Sequence, residues 1–420
     1  MNRSGLVESY LVLGLRVGRH VDGLVDAYYG PAALASSVDG EPVQSPERLV
    51  MSARELLASI DAGEPLEETG PAEENGAASR RRHWLHAQAR GLLTTARKLA
   101  GEPVSYADEV ESCYGVRPSR VDEEVFVDAH RRLDEVLPGS GPLAERLVAW
   151  RESHAVPVDA LRGAIDSLAE DLRSRTRTLF GLPDGERVDF ELVTDRPWAG
   201  FNYYLGDLHS RVAVNIDLPV LSIGLAHLVA HESYPGHHTE HTRKEVGLVR
   251  RRHWWEESIF LVGTPQCLLA EGLADLGLEV VMGRRPERQV ADHLLPLGIR
   301  YDADTVAAVA EEGEALGAVR QNAAFRLHED GAEPDRVIAE VARWGLLPTE
   351  RAAKTVEFLT HPTWRAYLTC YIEGLPLCRD FVRGDPARFD RLLSEQLTPD
   401  DLQAQIASDR AAASEGSSEG

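Results

Sequence analysis

Apolar residues recur every three or four positions through Leu49 to Ile60, Arg80 to Ala100, Val121 to Leu137 and Val156 to Phe180. That period draws one apolar stripe along a helix, and such a stripe has to be buried against another element. The chain therefore reads as a mainly α fold. Pro138-Gly139-Ser140-Gly141-Pro142 breaks the helical run, because proline lacks the amide donor and clashes with the preceding turn. Gly63 to Ser79, acidic and carrying Pro65, Gly70, Pro71 and Gly76, reads as an exposed connection.

One region has another period. Arg187 to Val193 alternates around Val188, Phe190 and Leu192, Phe201 to Leu205 is rich in aromatics, and Val212, Val214 and Ile216 alternate again. With a turn at Gly206-Asp207, this predicts a small antiparallel sheet of about three strands. After Leu218-Pro219 the helical period returns and runs to about Leu402. The expected organisation is a helical lobe over residues 1–180 that roofs a cleft and a lobe over 181–406 holding the sheet. The two could form one continuous domain, and a disordered Ala/Ser/Glu/Gly-rich tail covers 407–420.

Charge narrows the partners. With 68 acidic against 45 basic side chains the net charge is −23, which repels nucleic-acid phosphates and anionic lipid. Neither a nucleic acid nor a membrane is expected. The four cysteines, Cys113, Cys267, Cys370 and Cys378, form no CxxC pair and no disulfide framework, as suits a reducing compartment. The early apolar run from Tyr10 to Leu15 is followed by Arg16, Arg19 and His20, too short for a signal peptide or a span. The expected location is the cytoplasm.

Five of the fifteen histidines fall in the segment HLVAHESYPGHHTEH, at His227, His231, His237, His238 and His241, with Glu232 and Glu240 among them. Imidazoles mixed with carboxylates suit zinc. Three ligand schemes compete. In the first, His231-Glu232 begins a stretched HExxH, in which two histidines hold the ion and the glutamate activates water. Position 235 is proline, so the next imidazoles are His237 and His238. On an ideal helix His238 would lie about 10.5 Å further along the axis, too far for ligands about 2.0–2.1 Å from one ion. Pro235 and Gly236 forbid that ideal helix, and a bulge or wide turn at Tyr234-Pro235-Gly236 would be needed to bring His237 back. In the second scheme His237, Glu240 and His241 form the inverted HxxEH motif, whose spacing needs no distortion and is the one that spacing alone favours. In the third, His227 pairs with His231 beside Glu232.

The stretch VAHESYPGHH, Val229 to His238, resembles the HExxPGHH signature of the bacterial domain-of-unknown-function family 885. That family is similar in fold to the thermostable carboxypeptidase Taq family, helical metallopeptidases of the gluzincin type. The resemblance implies His231 and His237 as metal ligands, Glu232 as the base, and His238 as a supporting or alternative ligand. Ala270-Glu271-Gly272-Leu273-Ala274 looks like the family's EGWA segment, which implies Glu271 as third ligand, with Leu273 in place of the family's tryptophan. Asp275, one turn later, is either a support or a surface residue. Tyr371-Ile372-Glu373-Gly374 resembles the family's YxxG, implying Tyr371, with Tyr367 a turn earlier, as oxyanion partner. His328 in RLHEDG looks like the family's GLH segment and is a further stabiliser candidate. By analogy with zinc peptidases of this kind, Ser210 to Ile216 would be an edge strand pairing with substrate, with Asn215 able to bond an amide.

The reading is a metal-dependent hydrolase, a metallopeptidase acting on a small peptide or amide substrate. It would hold one Zn2+, with Mn2+ or Co2+ also compatible with an N/N/O ligand set. The alternatives are the inverted peptidase of His237, Glu240 and His241, and a noncatalytic metal-binding or interaction protein.

Overall fold

A computed structural model describes residues 5–66, 76–196, 198–362 and 364–416. Helices dominate, as the apolar period requires, and their ends carry local signals. Ser45 caps the Pro46–Asp61 helix by accepting from the Arg48 amide, and proline occupies its first position. Asp122 does the same for Glu123–Val136 by accepting from the Glu124 amide. The linker between Asp61 and Ala77 includes residues 67–75, which lie outside the described set, and Ala77 to Ser79 already belong to the next helix.

Two apolar clusters hold the fold. One joins Leu6 to Leu24, Leu49 to Ile60 and Trp84 to Ala96 with Ile259 and Leu261. The other runs from Tyr106 through Phe180 and on to Ile406, and reaches back to Ala27. Residues before and after position 180 thus share one core. A buried ion pair, Arg81 Nε to Glu256 Oε1 at 2.5 Å, ties the first cluster to the segment that follows the histidines. With both partners nearly excluded from water, loss of either would leave an uncompensated charge.

The sheet corrects its expected topology in one respect. Strands β2 (Arg187–Val193), β3 (Gly200–Tyr204) and β4 (His209–Asn215) are ordered β2-β4-β3. β3 and β4 form the expected antiparallel hairpin, with Asn202 opposite Val212. β2 joins the other side of β4 in parallel, Phe190 opposite Val212, because the short link from β2 to β3 crosses the end of β4. β4 is therefore the central strand, its backbone taken up on both sides, and cannot add a substrate strand. Asn215, assigned to a substrate amide, instead donates Nδ2 to the Arg196 carbonyl at 2.8 Å. The two margins belong to β2 and β3, and β3 is the one packed beside the histidine segment.

A second, two-stranded ribbon was not expected. β1 (Val25–Tyr28) pairs antiparallel with β5 (Ile259–Leu261), which interrupts the helical run expected between Leu218 and Leu402. Its register slips between Val25 and Ala27, so Asp26 is the extra residue of a bulge. The tail is also corrected: residues 407–416, expected to be disordered, continue the Pro399–Gly416 helix. Its alanines favour helix, and Asp409 bonds Arg388 while Arg410 bonds Asp380. Residues 417–420 lie outside the described set.

Candidate metal centre

The motif helix, Ser222–Glu232, stops where Pro235 forbids continuation, and a new helix begins at His237. The chain reverses so tightly that a Cβ on Gly236 would stand 1.9 Å from the His231 carbonyl oxygen and 2.6 Å from that of Ala230. Only glycine fits. The turn folds His237 back until its Nε2 lies 3.1 Å from His231 Nε2, with the rings edge to face.

The third group arrives on the glutamate helix, Pro265–Met282. Glu271 Oε2 lies 3.3 Å from His231 Nε2, and Oε1 lies 3.7 Å from His237 Nε2. Three donor atoms, two imidazole nitrogens and one carboxylate oxygen, thus converge. A tetrahedral ion at zinc distances would separate its ligands by about 3.3 Å, close to what these pairs display. Glu271 Oε2 is buried and lacks a hydrogen-bond partner, a vacancy in bonding that a cation would fill. The residues present fit such an ion.

Asp275, one turn beyond Glu271, accepts from His231 Nδ1 at 2.9 Å and lies 3.3 Å from His227 Nε2. A carboxylate on the far ring nitrogen fixes the tautomer that leaves Nε2 free to ligate. Burial opposes the charge on Asp275, yet the bonds from His227 and His231 hold its carboxyl well below the usual range. His237 is pushed down to about 4 by burial and is a neutral donor at pH 7. Burial, offset in part by His231 and reinforced by Glu271 and Asp275, raises Glu232 to about 7. A carboxyl there is poised to take and return a proton near neutrality.

The tyrosine helix, Thr369–Val382, packs on the glutamate helix at a glycine pair. A Cβ on Gly272 would stand 2.4 Å from the Gly374 carbonyl oxygen, and one on Gly374 would stand 2.7 Å from that of Leu268. The glycines of the two sequence motifs therefore set how closely the helices approach. Tyr367, just before this helix, donates its hydroxyl to Glu271 Oε1 at 2.8 Å and meets the Tyr371 hydroxyl at 3.0 Å. A cavity of about 70 Å³ opens among these groups, lined also by Asp26, Gly200, Asn202, His241 and Cys267. One water needs on the order of 10–15 Å³, so a few small groups fit.

The remaining candidates separate. His238 is fully buried with both ring nitrogens engaged, Nδ1 to Ser210 Oγ at 2.8 Å and Nε2 to Glu186 Oε2 at 3.0 Å. It supports the turn and has no lone pair free for a metal. The inverted scheme is corrected as well. Glu240 turns to Lys244 at 2.7 Å, and His241 stacks on Tyr204 with centroids 4.6 Å apart. His227 is half exposed and meets Asp275, so it converges with His231 on the outer side of that ring only. His328 is held elsewhere, its Nε2 at 2.8 Å from the Leu359 carbonyl and its ring on Tyr106. It does not line the cavity. Among the described residues, the groups able to converge on one ion are His231-His237-Glu271 and His227-His231-Asp275.

Two residues at this site carried no signal in the sequence reading. Asp26 sits 205 positions before His231 in a four-residue strand, and only its bulge delivers it to the cavity. Burial raises its carboxyl to about 7, with Glu271 and Glu232 adding to the effect. Asn202, hidden in an aromatic-rich strand, donates Nδ2 to the Glu232 carbonyl at 2.5 Å. An acidic or amide residue inside an otherwise apolar strand was the available hint.

Neither a family model nor a curated protein matches the chain. Among solved structures, a chain from Colwellia psychrerythraea described as a candidate lipoprotein is similar at 14% identity and a TM-score of 0.50, over 89% of this chain and 69% of that one. Another candidate lipoprotein of unknown function, from Shewanella oneidensis, aligns at 11% identity and 0.44, over 89% and 76%. An M32 carboxypeptidase from Deinococcus radiodurans R1 aligns at 11% and 0.43, over 96% and 94%. At such identities likeness concerns the fold alone. No helix among the described residues is long and apolar enough to cross a membrane.

Proposed function

We propose that the chain is a metal-dependent hydrolase, a peptidase of short peptides, with His231, His237 and Glu271 holding one zinc ion. The observation that carries this reading is the convergence of those three donors around an unpartnered Glu271 oxygen, with Asp275 orienting His231 from behind. The resemblance of the VAHESYPGHH stretch to the HExxPGHH signature agrees with it. Manganese or cobalt would suit the same donors. When bound there, the ion supplies Lewis acidity, making a water a better nucleophile and a carbonyl carbon a better target.

The protein's own groups divide the remaining work. Glu232, which follows His231 directly and lines the cavity, accepts the proton of the attacking water and returns it to the leaving amine. Its carboxylate is approached by β3, since a Cβ on Gly200 would come within 3.3 Å of Oε1. The Tyr371 hydroxyl, and Tyr367 behind it, offer hydrogen bonds to the oxygen on which charge develops. The margin of β3 is the strand beside which an extended substrate would lie. A cytoplasmic setting belongs to this proposal and rests on four buried, unpaired cysteines.

The test is metal analysis of the purified protein together with peptide hydrolysis before and after chelation. Glu232→Gln should lower turnover by about 10²–10⁴-fold with metal content unchanged. Glu240→Gln should not do so. Loss of turnover in Glu240→Gln but not in Glu232→Gln would restore the inverted scheme, and metal without hydrolysis would leave a binding protein.

A further inference from the structure

The cavity has an acidic wall that the hydrolytic chemistry leaves unused. Asp26 faces it from the bulge of β1, and bulges next to functional sites commonly re-aim one side chain. Among the described residues none pairs with or hydrogen-bonds its carboxylate. In the same lining, Asn202 is 7% exposed and its buried Oδ1 has no partner, while its Nδ2 is fixed by the Glu232 carbonyl. A buried acceptor left open costs free energy unless something donates to it. No lysine or arginine is among the lining residues. Arg320, on the Tyr371 side, lies outside that lining.

We propose that Asp26 and Asn202 Oδ1 form a subsite for the α-ammonium group of the substrate, so that the enzyme takes peptides by a free amino terminus. This rests on the hydrolase reading above and names its substrate class. An ammonium has three donors and one positive charge; a carboxylate and an amide oxygen satisfy two of the donors and the charge. A substrate carboxylate would meet Asp26, Glu232 and Glu271 with no lysine or arginine among the lining residues, and is directed outward toward the Tyr371 side, where Arg320 lies. The free margin of β3, where Asn202 sits, lets the peptide backbone run away from this anchor toward the metal centre.

The experiment compares tri-L-alanine, N-acetyl-tri-L-alanine and tri-L-alanine amide on the zinc-loaded full chain. The free-amine peptide and its amide should be cleaved with kcat/KM at least about tenfold above the acetylated one, because a site built for a donor rejects the analogue lacking it. In Asp26→Asn that ratio should shrink toward one. Cleavage blind to acetylation, or a ratio unchanged in Asp26→Asn, overturns the subsite and leaves the hydrolase standing. Calorimetric binding of the free and acetylated peptides to zinc-loaded Glu232→Gln supplies a readout independent of turnover. A preference for the free amine there upholds the subsite even if the wild type hydrolyses nothing, in which case the hydrolase reading alone falls. Equal affinity, or no binding by either peptide, overturns the subsite.

Discussion

Five histidines crowd one short segment, but their environments assign them different tasks. His231 and His237 turn their Nε2 atoms toward each other, His238 spends both nitrogens on Ser210 and Glu186, and His241 stacks on Tyr204. The resemblance of VAHESYPGHH named the first two and Glu232, whereas spacing favoured the inverted scheme and kept His238, His241 and His227 open, because distance along a chain does not reveal which ring nitrogen already has a partner. Asp275 illustrates the same limit: one turn after Glu271, it read equally as a support or a surface group until its contact with His231 Nδ1 was visible. Asp275→Asn should weaken zinc affinity by about 10–100-fold, the usual cost of losing an orienting carboxylate, with the fold retained. A zinc competition titration measures it. Unchanged affinity would mean that His231 needs no orientation from behind.

At the level of elements, two close approaches build the site. The turn from Glu232 to His237 exists because Gly236 can touch the His231 carbonyl, and Gly236→Ala should abolish metal binding and lower the melting temperature. Differential scanning calorimetry with metal analysis would check both, and retention of metal would refute the account of the turn. The same turn is anchored from outside by Glu186, which accepts from the Tyr234 hydroxyl at 2.6 Å, meets His238 at 3.0 Å and pairs with Arg173 at 2.6 Å. Burial works against its charge, but the bonds from His238, Tyr234 and Arg173 bring Glu186 down to about 2 from an ordinary 4.5. A depressed carboxyl stabilises the native state above its unfolded value and loses that contribution as pH falls from about 4.5 toward 2. Urea titrations of the wild type should therefore show a drop between pH 5 and pH 3 that Glu186→Gln reduces by on the order of 1–2 kcal/mol. An identical acid slope in the variant would contradict the anchor.

For the molecule as a whole, the proposed ion would cross-link segments far apart in sequence: the two helices on either side of the turn and the glutamate helix 40 residues later. An ion that binds the native chain alone raises stability by about 2.7 kcal/mol at a hundredfold excess over its Kd. Zinc should thus raise the melting temperature and chelation should lower it, while His231→Ala should respond to neither. A wild-type transition indifferent to both treatments would rule out a tight site. The acidic surplus of the chain also has a local counterpart, since Asp26, Glu232 and Glu271 meet in one cavity whose lining offers no lysine or arginine.

The amino-acid sequence alone determined the mainly helical class, the three-strand region and the cluster of candidate ligands from His227 to His241, while the choice of His231 and His237 among them, and of Glu271, came from the family resemblance. The first three depend on local period and on the fixed chemistry of imidazole, carboxylate, proline and glycine. Tertiary structure alone decided that β4 is central and β3 a margin, that His238 and His328 are occupied elsewhere, and that the 407–416 tail is helix. It also brought Asp26 and Asn202 to the cavity. Pairing partners and hydrogen bonds between distant segments arise only when the chain is packed, and no spacing along the backbone encodes which of two nearby acceptors a ring nitrogen will meet.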